Sequence, residues 1–285
     1  MTKSIHTLVQ DVYKVIEGEG GWDATVSKYA ADLMEDTFNT RLTGGGEPRE
    51  PALRLSQLGT PCQRKLWYSI NTPSKSASLP PSTRLKFLYG DLLENLLIAL
   101  AMAAGHDVQG TQDTLEVAGV KGHRDCVIDG ITVDIKSASS YSFKKFESGT
   151  LRGDDPFGYI SQLSSYVYAG RDSDVPSHPS LGAFLVIDKQ NGTLCLDMYD
   201  FGPELDTKIQ DVEALKEMVK QDEPPVRGFD PVPDGKSGNM KLGVQCSYCD
   251  YKKSCYPELR TFLYSTGPRF LTEVEKLPNV YEVKE

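Results

Sequence analysis

VKGHRDCVIDGITVDIKS, residues 120–137, decides the reading of this chain. Its two β-rich runs, Val120–Ile128 and Ile131–Ser137, meet at Asp129-Gly130, and Asp-Gly between such runs signals a hairpin closed by a two-residue turn. With those residues as the loop, Ile128 pairs with Ile131, Val127 with Thr132, Cys126 with Val133 and Asp125 with Asp134. Carboxylates facing one another at a Cβ separation of about 4.5–5.5 Å repel, so a cation is expected between them. The side-chain period of two puts Lys136 on the face of Asp134 and His123 on the face of Asp125, while Ile131, Val133 and Ile135 point the other way. One face carries chemistry and the other builds core.

Two oxygens so placed, with a third from elsewhere, suit Mg²⁺ or Mn²⁺, hard cations that take oxygen ligands and keep several waters. Such an ion polarises a phosphoryl oxygen and lowers the pKa of a bound water. Lys136 then serves to orient or deprotonate that water, or to stabilise charge on the phosphate.

The third acid is sought upstream. Leu85, Leu88, Leu92, Leu96 and Ala99 recur at helical spacing and predict a helix over Ser82–Ala104, with Ser82 as N-cap and Gly105 as stop. Glu94 interrupts these leucines, and a carboxylate buried there needs a partner; the alternative is a solvated stripe. Gly90, one turn earlier, costs about 1 kcal/mol relative to alanine inside a helix, which predicts a close neighbour.

Downstream, a helix over Phe157–Ala169, with Pro156 in its first turn and Gly170 closing it, puts Gln162 and Tyr166 on one face. Leu181–Asp188 and Thr193–Tyr199 read as strands joined across Asn191-Gly192, and Glu204–Gln221 as a charged amphipathic helix. Residues 1–50 show helical periodicity at Val9–Ile16 and Ser27–Phe38, ahead of a break at Gly44–Gly46, and read as an N-terminal helical arm. Asn71–Pro81 reads as a surface loop, and 222–244 as an extended connection. The division expected is arm 1–50, α/β core 51–245 and a C-terminal cysteine-bearing segment 246–285 that packs with the Cys62 region.

A chain of 285 residues that is 39% hydrophobic can bury a substantial core. Its net charge of −9 disfavours indiscriminate adhesion to nucleic acid. Local sign differs, because Pro51–Gly90 holds Arg54, Arg64, Lys65, Lys75, Arg84 and Lys86 with no Asp or Glu. Lys144, Lys145 and Arg152 add cations after the hairpin. Arg64, Lys65, Trp67 and Tyr68 set charge beside aromatic rings, a composition suited either to stacking on a single strand or, for Trp67, to core. No run approaches the roughly 18 apolar residues of a membrane span, and Met1–Gln10 lacks a secretory layout. The expectation is a cytoplasmic protein without a membrane partner.

The six cysteines do not form a disulfide pattern. Cys246-x2-Cys249-x5-Cys255 supplies closely spaced thiols and Cys62 a distant fourth, a set suited to Zn²⁺ or to a [4Fe-4S] cluster. Cys126 and Cys195 fall in strands and read as buried, inert thiols.

Together these residues resemble the RecB-like nucleases of the PD-(D/E)xK superfamily, including CRISPR-adaptation exonucleases and helicase-linked nuclease domains. The likeness covers most of residues 54–260: the helix pattern at Gly90–Glu94, GxxD at Gly122–Asp125, DxK at Asp134–Lys136 and QxxxY at Gln162–Tyr166. Many relatives carry His where this chain has Glu94. The resemblance implies a restriction-endonuclease-like core, with a central mixed β-sheet flanked by helices. It implies Mg²⁺ or Mn²⁺ held by Glu94, Asp125, Asp134 and the Ile135 carbonyl, with Lys136, Gln162 and Tyr166 completing the catalytic set. The three-plus-one cysteine division, with Cys62 in a Cys-x-Arg-x-x-Trp context, implies a [4Fe-4S] cluster that pins the C-terminal segment, Zn²⁺ being the alternative. The activity implied is exonucleolytic cleavage of single-stranded DNA or DNA ends, from the 5′ end in many relatives, alongside a helicase or recombination partner in a prokaryotic or phage-infected cell. The alternative is a non-catalytic nucleic-acid-binding partner that keeps the fold and cluster.

Overall fold

The computed structural model describes residues 3–42, 51–73 and 81–283. Gly44–Gly46, Lys75 and most of the expected 71–81 loop lie outside them. The chain divides into two compact units, one formed by residues 1–59 and 79–215, the other by 60–78 and 216–285. Helices α1 (Leu8–Ile16), α2 (Ala24–Leu42), α3 (Gln63–Asn71) and α4 (Pro81–Ala103) come first. Then follow β1 (Val108–Gln109), β2 (Thr114–Val117), β3 (Val120–His123), β4 (Cys126–Ile128) and β5 (Ile131–Ala138). Helices α5 (Ser140–Glu147) and α6 (Tyr159–Gly170) lead to β6 (Leu181–Asp188), β7 (Leu194–Asp200) and α7 (Lys208–Val219).

The first unit is mixed α/β, with a central sheet ordered β1-β4-β5-β6-β7 and helices against it. Only the β5–β6 pair is parallel, and a parallel pair needs a long crossover, which α5 and α6 supply. Ile131, Val133 and Ile135 pack with Leu8 and Val12 of α1 and Leu97 and Ile98 of α4. Phe184 and Val186 pack instead with Phe143 and Phe146 of α5 and Leu163 and Val167 of α6.

The turn chemistry was readable. Asp129 (φ 50°) and Gly130 (φ 78°) both take positive φ, as a type I′ turn demands, and the ladder runs Ile128–Ile131, Val127–Thr132, Cys126–Val133 as expected. Asp129 is anchored as well, touching His106 Nδ1 at 2.7 Å and accepting the Asp107 N–H at 3.0 Å.

Several expectations are corrected. The expected strand Val120–Ile128 is two strands: β3 pairs with β2 in a separate hairpin, and β4 joins the central sheet. The break falls at Arg124-Asp125, whose side chains bond off the ladder, to Asp113 and to the Ile135 N–H respectively. The ladder therefore ends at Cys126–Val133, so Asp125 is no ladder partner of Asp134. His123, on the other sheet, is exposed and bonds near Gln112 and Thr114. Ser82 is not an N-cap, since it lies inside α4, and Pro156 is not in the first turn of α6, which starts at Tyr159 after Gly158 in a left-handed conformation (φ 76°). The apolar stripe of α4 is buried only in its second half, Leu85 being 65% exposed.

Residues 1–50 do not form a separate arm, since Leu8 and Val12 enter the main core. Asp11 ties α1 down: Lys14 and Lys3 bond it at 3.0 Å each, and Thr7 donates to it at 2.8 Å. The bonds from Lys14, Lys3 and Thr7 hold its carboxyl well below the usual carboxylate range. A depressed folded-state pKa stabilises above the unfolded value, near 3.9, and that contribution fades as pH falls through the folded value. Asp11→Asn is therefore expected to melt several degrees below wild type at pH 7, with the gap narrowing below about pH 4; parallel thermal melts check this.

The second unit holds an antiparallel sheet ordered β12-β10-β11-β9-β8. Its strands are β8 (Val232–Pro233), β9 (Met240–Lys241), β10 (Arg260–Tyr264), β11 (Gly267–Glu273) and β12 (Tyr281–Val283), with short helices α8 (Val244–Ser247) and α9 (Lys252–Cys255). It starts at Lys216 rather than Cys246 and takes in α3, as Trp67 donates to the Gln221 carbonyl at 2.7 Å and Asn71 to the Val219 carbonyl at 2.8 Å. No helix of the described residues is long and apolar enough to cross a membrane.

Candidate functional site

Asp134 is almost wholly buried, at 2% exposure, in the middle of the sheet. Lys136, two residues on, contacts the Asp134 carboxylate, and its ammonium lies 5.3 Å from the centre of the Tyr159 ring. Asp125 arrives from the end of β4 and accepts the Ile135 N–H at 2.7 Å. Glu94 arrives from α4 and accepts from Gln112 Nε2 at 2.7 Å. The Ile135 backbone thus enters the site through its N–H; its carbonyl as a ligand rests on the resemblance.

The three acids feel one another. Burial first, then the charges of Asp125 and Asp134, push Glu94 up to about 9, against the pull of Lys136. Burial and the Asp134 charge push Asp125 up to about 7, against Lys136 and the Ile135 N–H. Burial opposes the Lys136 ammonium, but Asp134 and Asp125 outweigh it and hold its pKa above the ordinary value. Carboxylates out of water with too little positive charge among them are costly, so the donor set suits a hard divalent cation. Asp134 Oδ2 is buried, and its partner is the Lys136 ammonium. Among the described residues no group of three Asp, Glu, His or Cys side chains is arranged as a finished metal site, and the present partners Gln112, Ile135 and Lys136 show where the carboxylates turn instead.

On α6, Tyr166 reaches the same place, and Gln162 is tied to it through Tyr166. Tyr166 is buried, hydrogen-bonded to Gln162 and within electrostatic reach of Asp134 and Asp125; burial pushes its hydroxyl up to about 12. Gly122 lies under this ring, and a Cβ there would stand 2.6 Å from Leu55 Cβ and 3.3 Å from Tyr166 Cε1. Gly90 is different, with only Ser137 Oγ at 3.6 Å, so the close neighbour expected there is not found. Gly122→Ala is expected to cost about 1–3 kcal/mol by overpacking, whereas Gly90→Ala is expected to gain about 0.5–1 kcal/mol. Denaturant titrations of the pair check the opposite signs.

Three site residues escaped the sequence. Gln112 holds Glu94 from a positive φ of 56°, rare for a residue with a side chain. Asp113 pairs with the fully buried Arg124 through two bonds of 2.7 Å, directly beside Asp125. Tyr159 underlies Lys136. Gln112 and Asp113 sit in a connection without periodicity, and Tyr159 opens a helix whose start was misplaced.

The expected cations spread over both units. Arg54 lies in the first, Arg64 and Lys65 in the second, Arg84 and Lys86 on α4. Arg64 and Tyr68 are spent on structure: Arg64 donates to the Pro225 carbonyl at 2.6 Å, Tyr68 to the Ser254 carbonyl at 3.1 Å, and Tyr68 stacks on Tyr251. Trp67 is core, at 7% exposure. Arg152 pairs with Glu204, Lys145 with Asp154, and Lys144 is exposed.

All four cysteines of the three-plus-one set lie in the second unit and are free thiols. Burial, then Cys249, Cys62 and Cys255, pushes the Cys246 thiol up to about 11, so the four are electrostatic neighbours. As a donor set they suit a soft metal or iron-sulfur group, although these thiols too form no finished metal site. Cys126 is fully buried, with its thiol pushed up by burial, as expected; Cys195 is only half-buried.

No family model and no curated protein matches this chain. It is similar to the crystal structure of SSO0001, with a TM-score of 0.46 and 16% identity over 79% of this chain and 95% of that one.

Proposed function

We propose that the first unit is a divalent-cation-dependent deoxyribonuclease of the PD-(D/E)xK, RecB-like type, built on a restriction-endonuclease-like core. The observation that carries this reading is a half-buried Glu94 and Asp125 within electrostatic reach of a buried Asp134, with the Lys136 ammonium in contact with Asp134 and acting on the other two through its charge. Glu94, Asp125 and Asp134 would hold Mg²⁺ or Mn²⁺, which supplies a polarised phosphoryl oxygen and a water of lowered pKa.

The protein's own groups do the rest. Asp134 and Asp125 keep Lys136 charged, and Tyr159 covers one side of its ammonium. That ammonium would stabilise the charge that grows on the phosphate as the new P–O bond forms and the leaving oxygen departs. Tyr166, hydrogen-bonded to Gln162, lies within electrostatic reach of Asp134 and Asp125 and would border the substrate there. The thiols of Cys62, Cys246, Cys249 and Cys255 would hold a [4Fe-4S] cluster or Zn²⁺ that staples the second unit. Substrate preference for single strands or ends, and a helicase or recombination partner, belong to the same proposal by resemblance.

The test incubates end-labelled single- and double-stranded DNA with Mg²⁺ or Mn²⁺, comparing wild type with Asp134→Ala and Lys136→Ala. Activity in wild type alone supports the reading. Equal degradation by all three proteins assigns it to a contaminant and ends the proposal. Calorimetric titration with Mn²⁺ adds a readout independent of turnover, and Asp134→Ala is expected to lose that binding.

A further inference from the structure

Beside the acid cluster the first unit contains a cavity of about 220 Å³ that Lys136 also lines. Its apolar lining includes Ala138, Phe146 and Leu151, all buried. Its wall carries the hydroxyl-bearing residues Ser137, Ser139 and Ser142. Lys145, Lys189 and Phe157 complete the lining, and of these Lys189 and Phe157 are exposed.

Charge is the telling feature. In a chain of net charge −9, the charged residues lining this space are three lysines, with no Asp or Glu among the lining residues. Lys136 and Lys145 are partly neutralised by Asp134 and Asp154. Lys189 is exposed and its side chain has no hydrogen bond or ion pair among the described residues. Hydroxyls and ammonium groups together donate hydrogen bonds to an anion with many acceptor oxygens. Phe157 is 58% exposed, tilted against Tyr159 with ring centres 5.6 Å apart, and offers a face on which a base or sugar can rest.

The volume limits the ligand, because pockets that enclose whole drug-sized molecules measure roughly 300–1,000 Å³. A space of about 220 Å³ fits a charged group with a few neighbouring atoms rather than a run of nucleotides. We propose that this cavity receives a terminal phosphomonoester of the DNA strand, so that a strand held by its end presents a phosphodiester close to that end to the acid cluster. The inference rests on the nuclease reading and makes the enzyme an end-directed one.

The test measures fluorescence anisotropy of a short single-stranded oligonucleotide bearing a 5′-phosphate, a 3′-phosphate or hydroxyls at both ends, labelled internally. The full chain is used as purified, without added divalent cation. One phosphorylated end is expected to bind about tenfold tighter than the hydroxyl form, and inorganic phosphate to compete. Which end responds identifies the polarity. Lys189→Gln, a surface change that leaves folding intact, is expected to shrink the preference to about twofold, and Phe157→Ala to weaken all three strands alike. Equal binding of the three strands, or a preference untouched by Lys189→Gln, overturns the inference. Cleavage with Mn²⁺ that ignores end chemistry also overturns it while leaving the nuclease reading intact; a phosphate preference without any cleavage does the reverse.

Discussion

Lys136→Ala is expected to bring DNA hydrolysis to background and, separately, to destabilise the first unit by about 3 kcal/mol. The two effects have different origins. Loss of hydrolysis follows from removing the ammonium that would meet charge developing on the phosphate, where deleting one such group costs roughly 10²–10³ in rate. Loss of stability follows from the company Lys136 keeps: it contacts Asp134, which is 2% exposed, and opposes the burial and repulsion that push Glu94 and Asp125 up. Removing one partner from a buried ion pair costs about 3–5 kcal/mol, because the other charge stays buried. The Lys136 side chain keeps 21% exposure, so the lower end applies. Pairing Lys136→Ala with Asp134→Asn should recover most of the stability and none of the activity, because both charges are then gone. Chemical denaturation of the four proteins measures the coupling; additive losses would mean that Lys136 and Asp134 are energetically independent.

Arg124→Met is expected to be the most damaging substitution for stability that touches no proposed ligand, at about 3–5 kcal/mol. Arg124 is fully buried and grips Asp113 through two bonds of 2.7 Å, with Ser173 accepting a further bond at 3.0 Å. Methionine fills much of the volume but leaves Asp113 without its cation. The same change frees the chain at the point where β3 ends and β4 begins, one residue before Asp125. A fall in the first thermal transition of roughly 2–4 °C per kcal/mol follows for a unit of this size. Asp113→Asn with Arg124→Met should restore part of the loss. A melt indistinguishable from wild type for Arg124→Met would show that this guanidinium carries no structural load.

The sequence was most legible where the determinants were local. The β4–β5 turn was readable because Asp129 and Gly130 both accept positive φ and their neighbours alternate cleanly. The proximity of Glu94, Asp125, Asp134 and Lys136 was legible from one turn and one leucine-rich helix, although the expected ladder pairing of Asp125 with Asp134 is not what brings them together. What failed depended on distant partners. Nothing around Arg124 says that Asp113 will capture it and split a strand, and nothing around Gln112 marks it as the donor to Glu94. The exposed first half of α4 has the same apolar spacing as its buried half. The unit boundary was missed because α3 is claimed by residues beyond 216, through bonds that span about 150 positions.

The second unit is stitched from stretches 60–78 and 216–285, and this sets a schedule for biosynthesis. A ribosome adding about 5–20 residues per second releases Cys62 roughly 10–40 s before Cys246, with residues 79–215 of the α/β unit emerging in between. The first thiol must wait, reduced, while its neighbours are still being translated. Loading of any metal on the four sulfurs is thus confined to the last moments of synthesis or later, and oxidant encountered during that interval would strand a nascent chain whose α/β unit has already formed.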